Sequence, residues 1–452
     1  MKNTILFDSY ETIVKGNTEE IPSLLDTDSD LVSHVFRGFK YPISSWPVII
    51  SNSLKKDLED ACILVPKLLQ TIPELYFDND VEQISDFYFN GDQTMGQFSL
   101  MCNQKRLDVS SRLDLTYTED GFKILEVNMG SSIGGMEFQN FAPLIKELHP
   151  TLSGTEQQFI SRETQNIYIE FLINKIEQYV SKEDKELGVF IVNGHQGDHP
   201  SKKLVGDFFN NLLLKEVQKR GKKGTTYVDT IENLQFTNGE LQYNKNKIHA
   251  VLILDFALNN ITPNIFRALL SDKVYFPDHL GTVFLGDKRN LALLRELAIQ
   301  GKFSDEENQK VLKYIPWTAV VTNSEVSYKG VSYNLITLLK NQRENFVIKI
   351  ADGLQGQNVY IGKFCEQQKW ETVIADVSRG NMYIAQEFSQ SIDLLAPNTA
   401  NIWAPHKLVW GAFGFGDVYA GTWVRMSANK NDGGVINSAN GAVEAIVYES
   451  LS

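Results

Sequence analysis

Apolar side chains recur at helical spacing through residues 54–69, where Leu58, Cys62, Val65 and Leu69 fall on one stripe. The pattern predicts a helix within a mostly helical first hundred residues. From about Lys105 to Gly135 the period shortens to two and predicts strands. Residues 155–181 return to helical spacing, with Phe159, Ile167, Phe171, Ile173 and Ile176 at the apolar positions. The polar run Ser181-Lys182-Glu183-Asp184-Lys185-Glu186 reads as a linker. Beyond it, apolar runs at 188–192, 250–254 and 273–276 alternate with helical patterning such as that of 203–219. Strands and helices in that order predict a parallel sheet with right-handed crossovers. After Asp287 a helix is expected at 290–300, then a strand-rich region punctuated by glycine.

Length and charge narrow the possibilities. At 452 residues the chain has room for two to four domains of ~100–200 residues each. Its 42% hydrophobic and 22% charged residues match a globular protein with a sizeable core. A formal net charge of -13 argues against a general nucleic-acid binder, which carries a basic footprint. Cys62, Cys102 and Cys365 are scattered and form no CxxC pair, which argues against a disulfide scaffold or thiolate zinc site and fits a reducing compartment. No run approaches the ~20 apolar residues of a membrane span, and the first twenty residues carry early acids and no apolar core of a secretory signal. The expectation is a soluble cytoplasmic protein with no membrane partner.

The most informative segment is SSRLDLTYTEDGFKILEVNMG, residues 110–130. Glu119-Asp120-Gly121 is a turn signal between two alternating runs. A three-residue loop, with glycine in the left-handed position, pairs Thr118 with Phe122, Thr116 with Ile124, Asp114 with Glu126 and Arg112 with Asn128. Leu113, Leu115, Leu125 and Val127 then form the opposite, core face. A two-residue loop sets Asp114 against Val127 and mixes the two sets, since a one-residue slip turns every side chain over. The three-residue loop is therefore predicted. Opposed side chains lie ~5 Å apart at Cβ and like charges there repel, so Asp114 opposite Glu126 calls for a cation. With Asn128 they are hard oxygen donors that suit magnesium. Arg112 beside them suits a developing phosphate or oxyanion charge. Alone, R-x-D or E-x-N is a common pattern that a surface ion pair explains; both on one face favour metal and anion chemistry.

A second constellation lies far along the chain. Residues 346–350 read as a strand carrying Lys349, residues 351–357 as a loop with Gly353, Gln355 and Gly356, and 359–361 as a returning strand. Glycine lets backbone N–H groups approach phosphates, and a lysine on the preceding strand supplies point charge. The loop matches neither a Walker A nor a G-x-G-x-x-G pattern. Residues 382–388 form a further strand whose polar end, Gln386-Glu387, could read an adenine. Lys288 precedes the helix at 290–300, where a lone lysine is ordinarily solvated. His195 and His199 lie among Gly194, Gly197 and Pro200, so they read as loop histidines, with His195 a weaker substrate-contact candidate. Trp403, Trp410 and Trp423 are expected in the core rather than as a stacking platform.

Together these residues resemble the ATP-grasp carboxylate–amine ligases. Arg112 and the set Asp114, Glu126 and Asn128 look like that family's oxyanion-stabilising arginine and its metal ligands. Lys349, Lys288, the loop from Gly353 through Gln355 to Gly356, and Gln386-Glu387 look like its nucleotide lysines, phosphate-covering loop and adenine hinge. The nucleotide residues follow the metal residues here, which resembles the circularly permuted branch that includes glutathionylspermidine synthetase. Tyr314-Ile315-Pro316-Trp317-Thr318, Tyr419-Ala420-Gly421, Arg425-Met426-Ser427 and Gly434-Val435-Ile436-Asn437 look like that branch too. The loop is poorer in glycine than is usual, and Ala319 stands where arginine often follows the Pro-Trp-Thr stretch.

The resemblance implies a mixed α+β / α/β fold: an ATP-grasp fold in circularly permuted order, with an inserted Rossmann-like pre-ATP-grasp domain and a helical N-terminal region. The expected divisions are 1–105 for the helical region, 106–185 for the metal-binding half, 186–286 for the inserted α/β domain and 287–452 for the nucleotide-binding half. It implies ATP and Mg2+ as cofactors and, as partners, a small-molecule or peptide carboxylate and an amine, joined through an acyl phosphate. Arg112 stabilises the oxyanion, and Arg425 binds phosphate or a substrate carboxylate. The alternatives are a non-catalytic nucleotide-binding protein on a degenerate version of the fold, and a phosphotransferase. Substrate identity and oligomeric state are not readable from these residues.

Overall fold

The computed structural model of the chain describes residues 21–153, 159–195, 199–254, 261–353, 358–378, 380, 382–428, 434–436, 438 and 441–451. Strand β1 (Val48–Ile50) is followed by the hairpin β2 (Ser110–Thr118) and β3 (Gly121–Met129), then by the two-residue β4 (Phe159–Ile160). β5 (Glu186–Val192) and β6 (Lys223–Asp229) flank a long helix, and β7 (Gln235–Thr237), β8 (Glu240–Tyr243) and β9 (Asn246–Lys247) precede β10 (Ala250–Ile253). Next come β11 (Thr318–Val320), β12 (Glu325–Tyr328), β13 (Val331–Asn334), β14 (Phe346–Ile350), β15 (Val359–Ile361) and β16 (Tyr383–Glu387). The chain closes on β17 (Leu394–Pro397), β18 (Trp403–Phe415), β19 (Val418–Ala428) and β20 (Val443–Ser450). The architecture is mixed α+β, built on several sheets.

The central sheet has the order β1-β20-β19-β18-β2-β3, with β17 added to β18 and β4 to β20. It is a core wall on both faces. The helix Asn52–Leu69 lays Leu58, Cys62 and Val65 against Leu113, Leu115, Trp410 and Val424. Ser51 starts that helix by accepting the Leu54 N–H at 3.3 Å, satisfying a donor that the first turn leaves open. On the opposite face the helix Thr164–Tyr179 packs Ile169 and Leu172 against Phe413, Phe415 and Tyr448. The helices expected in the first hundred residues fall between Asn52 and Asn103, whereas the described stretch 21–51 holds no helix and supplies β1, which runs parallel to β20.

Two smaller sheets lean on this wall. β10-β5-β6 is parallel, and the helix Pro200–Lys219 packs on it through Leu213 and Val217. β11-β16-β14-β15 is antiparallel and covered by the helix Gln367–Val377, which buries Trp370. Asp278 joins the parallel sheet to the hairpin. Its two oxygens accept the Ser131 N–H at 2.6 Å and the Ile253 N–H at 2.9 Å, and burial pushes its carboxyl up to about 6.

Two expectations from patterning change. The helix expected over 155–181 begins only at Thr164, because Phe159–Ile160 pairs with β20 as β4. The apolar run 273–276 forms no strand, only a bridge between Tyr275 and Ala250. Pro277, which cannot donate to a ladder, follows at once.

Candidate active site

The hairpin reaches its expected pairing by an unexpected route. Thr118 pairs with Gly121, so the loop is the two residues Glu119 and Asp120, not three. Thr118 Oγ1 closes it by donating to the Gly121 carbonyl at 2.8 Å, and Gly121 has φ 90°. A bulge then intervenes: Leu115 pairs with Ile124, but Asp114 pairs with Glu126. Leu125 is the extra residue, and the slip it introduces cancels the shorter loop. Asp114 therefore faces Glu126, and Arg112 faces Asn128. The price falls on Leu125, which leaves the core face to become half-buried at a cavity wall, while Ile124, expected on the polar face, takes its place in the core beside Leu113, Leu115 and Val127.

Asp114 is 4% exposed and accepts three guanidinium hydrogen bonds. Arg112 Nε and Nη2 donate at 2.8 and 3.1 Å, and Arg425 Nη2 at 2.7 Å. Burial alone would raise this carboxyl, but Arg112 and Arg425 overcome it and hold Asp114 far below the usual carboxylate range. Arg112 Nη1 also donates to the Ile133 carbonyl. Arg425 Nε is buried with no hydrogen-bond partner among the described residues.

Both guanidinium groups lie over the Trp423 ring, 5.4 and 5.5 Å from its centroid. Two glycines make room for that ring. A Cβ on Gly411, which pairs with Asp114 and Trp423 across β18, would stand 2.0 Å from the indole, and one on Gly135 2.5 Å from it. Trp423 is a platform for the arginines as well as a core residue, a role the sequence reading missed. The signal was available: Trp423 and Arg425 share one face of a strand at a spacing of two.

The second constellation meets the first. Lys349 Nζ donates to the Leu125 carbonyl at 3.0 Å and to Gln386 Oε1 at 2.7 Å. Burial, opposed by Glu126 and reinforced by Lys288, brings its ammonium down to about 8. Lys288 is not solvated as a lone lysine would be: it is buried, donates to the Gly353 carbonyl at 2.7 Å and stands 3.4 Å from Glu126 Oε2. Gln386 is buried and holds Lys349, and its amide donates to the Ile124 carbonyl at 3.3 Å. Glu387 lines the same cavity, but its N–H is engaged by the Trp317 carbonyl at 2.7 Å and its carboxylate by Tyr328 and Lys329. That N–H is therefore not available to an adenine. Gln355 and Gly356 lie outside the described residues, as does Asn437.

Arg112, Asp114, Glu126, Asn128, Lys349, Gly353, Gln386, Glu387 and Arg425 all line one cavity of about 970 Å³, and Lys288 stands outside the lining beside Glu126. Among the described residues the lining carries five cations (Arg112, Lys349, Lys363, Lys407 and Arg425) and four carboxylates (Asp114, Glu126, Glu137 and Glu387), with Lys288 beside Glu126. Positive charge is thus in slight excess, which favours an anionic ligand. The oxygen donors also fit a hard divalent cation. Among the described residues no three His, Cys, Asp or Glu side chains cluster, so the donor set is two carboxylates and the Asn128 amide. A carboxylate offers about four lone-pair sites, so the three guanidinium bonds leave one on Asp114, and the Asn128 side-chain oxygen accepts no hydrogen bond among the described residues.

Other candidates fall away from this centre. The His195 and His199 rings stack at 3.9 Å, and His199 accepts the Ser201 N–H to cap a helix. Trp410 is buried as expected, whereas Trp403 is 39% exposed and packs edge-on against Trp46. No helix among the described residues is long and apolar enough to cross a membrane.

No family model matches the chain, and no curated protein matches it. Among solved structures it is similar to D-alanyl-alanine synthetase A from Vibrio cholerae, with 11% identity, 50% of this chain and 67% of that one covered, and a TM-score of 0.26.

Proposed function

We propose that the chain is an ATP- and magnesium-dependent ligase that joins a carboxylate to an amine, on an ATP-grasp fold in permuted order. In this reading residues 106–185 and 287–452 form the two halves that clasp the nucleotide, and 186–286 is an inserted domain that walls the substrate side. One observation carries it. Lys349 and Glu126, more than two hundred residues apart, are brought to one charged centre, where Lys349 hydrogen-bonds the carbonyl next to Glu126.

Lys288 and Lys349 hold the phosphates. An anion beside Lys349 restores the charge that burial suppresses. Glu126, Asn128 and the remaining lone pair of Asp114 would hold magnesium, which when bound neutralises the triphosphate. A substrate carboxylate oxygen attacks the γ-phosphorus as the bond to ADP breaks. An amine nitrogen then attacks the acyl carbon, phosphate leaves, and a proton is lost to give the amide. Arg112 and Arg425 stabilise the oxyanion formed on the way, where one donor is worth about 10²–10³ in rate. The rigid stack over Trp423 fixes both guanidinium planes before substrate arrives.

The test is Glu126→Ala, assayed for magnesium-dependent ADP formation with a panel of acids and amines. Loss of a hundredfold or more is expected; activity within a few-fold of wild type refutes the metal role. The engagement of Asp114 by two arginines, which leaves it one lone pair, favours a second reading, a non-catalytic nucleotide binder. Tight ATP binding by calorimetry with no turnover on any substrate selects it. A phosphorylated product in place of an amide, seen by mass, selects a phosphotransferase.

A further inference from the structure

We propose that the acid activated at this site is an amino acid with an aromatic or large aliphatic side chain. This rests on the ligase reading and deepens it. A cavity of about 970 Å³ is at the top of the ~300–1,000 Å³ range of small-molecule sites, so there is room for more than a nucleotide. The charged centre divides it. On the lysine side the wall is β14 and β16, carrying Val347, Lys349, Gln386 and Glu387.

On the arginine side the wall is aromatic and begins under the arginines themselves. Trp423 stacks on Phe138 at 5.8 Å, and Phe138 meets Phe39 edge-on at 5.5 Å. Phe39 contacts Phe141 at 5.3 Å, Phe141 meets Phe36 at 6.4 Å, and Phe36 reaches Phe208 at 5.1 Å. Phe36, Phe39 and Phe208 line the cavity and are only half-buried. Large aromatic faces left open to a cavity, instead of turned into the core, are covered at a gain by an apolar ligand. A charged or amide side chain placed there would lose its water without gaining a partner.

The head of the ligand is set by the polar groups at the chamber's inner end. Arg112 and Arg425 face its carboxylate, and Arg425 Nε has no acceptor among the described residues. Glu137, next to Phe138 in the chain, lines the cavity near enough to Arg112 to feel its charge. Its carboxylate accepts the Gly135 N–H at 2.8 Å and its own backbone N–H, and it lines the cavity. Burial pushes its carboxyl up, which an adjacent ammonium would reverse. Carboxylate, ammonium and apolar side chain of an α-amino acid thus each find a complementary group in the lining.

The test uses the full chain with ATP and magnesium, and hydroxylamine as nucleophile. Hydroxylamine nitrogen attacks the acyl phosphate carbon, releasing phosphate and leaving a hydroxamate that is read by colour and mass. Phenylalanine and leucine are expected to give hydroxamate at least tenfold faster than glutamate or lysine. Val205 lines the chamber from the helix that carries Phe208. Val205→Trp, which fills the chamber, is expected to raise KM for phenylalanine about tenfold with KM for ATP unchanged, and Phe208→Ala to raise it in the same direction. If glutamate or lysine is preferred, or if both variants leave KM for phenylalanine unchanged, the aromatic chamber is not the acid's site and this inference falls while the ligase reading stands. If no acid yields hydroxamate, the ligase reading fails and takes this inference with it.

Discussion

Replacing Asp114 by asparagine tests the charge balance on which the site is built. Asparagine keeps the shape of the side chain but removes its charge and turns one acceptor oxygen into a donor. The three guanidinium hydrogen bonds that converge on the carboxylate cannot then all be made. Breaking a buried ion pair from one side costs about 3–5 kcal/mol. Glu126 stands opposite and takes up part of the exposed positive charge, so the lower end, about 3 kcal/mol, is expected. Urea unfolding at pH 7 reads this as a fall in midpoint at constant slope. Because the deficit is one of negative charge, pyrophosphate should repair it: an anion at a hundred times its Kd returns about 2.7 kcal/mol, and at one fixed concentration the variant, binding the anion more tightly, should gain more than wild type. The pH dependence has a definite sign. In the folded chain the Asp114 carboxyl lies well below its ordinary 3.8, so its contribution is complete above that value and is lost as pH falls below it; the variant lacks that acid-side loss. A variant that unfolds within about 1 kcal/mol of wild type, and responds to pyrophosphate no differently, would refute the reasoning.

Lys349 titrates near 8 when folded against 10.5 when free, so the unfolded chain binds the extra proton between those values and unliganded stability rises with pH there. Lys349→Met should abolish that rise, and calorimetry should show wild-type ATP affinity falling by up to tenfold per unit above pH 8 while the variant's profile is flat. Arg425→Lys keeps the charge but not the planar fork that lies on Trp423 and bonds Asp114; ligase turnover should drop by about 10², with the melting temperature changed far less than in Asp114→Asn. Gly411→Ala places a methyl 2.0 Å from the Trp423 ring, and overpacking of that kind costs about 1–3 kcal/mol; KM for the acid substrate should rise, whereas KM for ATP should not.

How the site could be read from the sequence differs residue by residue. That Asp114 faces Glu126 and Arg112 faces Asn128 was legible because alternation keeps apolar and polar side chains apart, and the pairing came out right although the loop is one residue shorter than expected. The two-residue turn and the bulge at Leu125 cancel, and no rule of local patterning distinguishes a compensated pair of irregularities from none. Lys288 was singled out only through the family resemblance, because local pattern alone makes it a solvated lysine. Its burial depends on the turn after β14, whose Ala351 and Gly353 carbonyls receive its N–H and its ammonium from more than sixty residues away. β1 is three residues long and exists as a strand because β20, nearly four hundred residues later, lies parallel beside it.

Local pattern therefore selects the chemistry, and non-local pairing decides whether that chemistry becomes a site. The carboxylates on β2 and β3 would repel one another if left alone. They are held by arginines and lysines from the same hairpin, from β19, from β14 and from the residues before the helix Asn290–Ile299. With the carboxylates paired in this way, the cations that remain are the ones an anion would neutralise. Pairing within the chain thus holds the hairpin together, and the surplus of cations over carboxylates is what the proposed phosphate site would use.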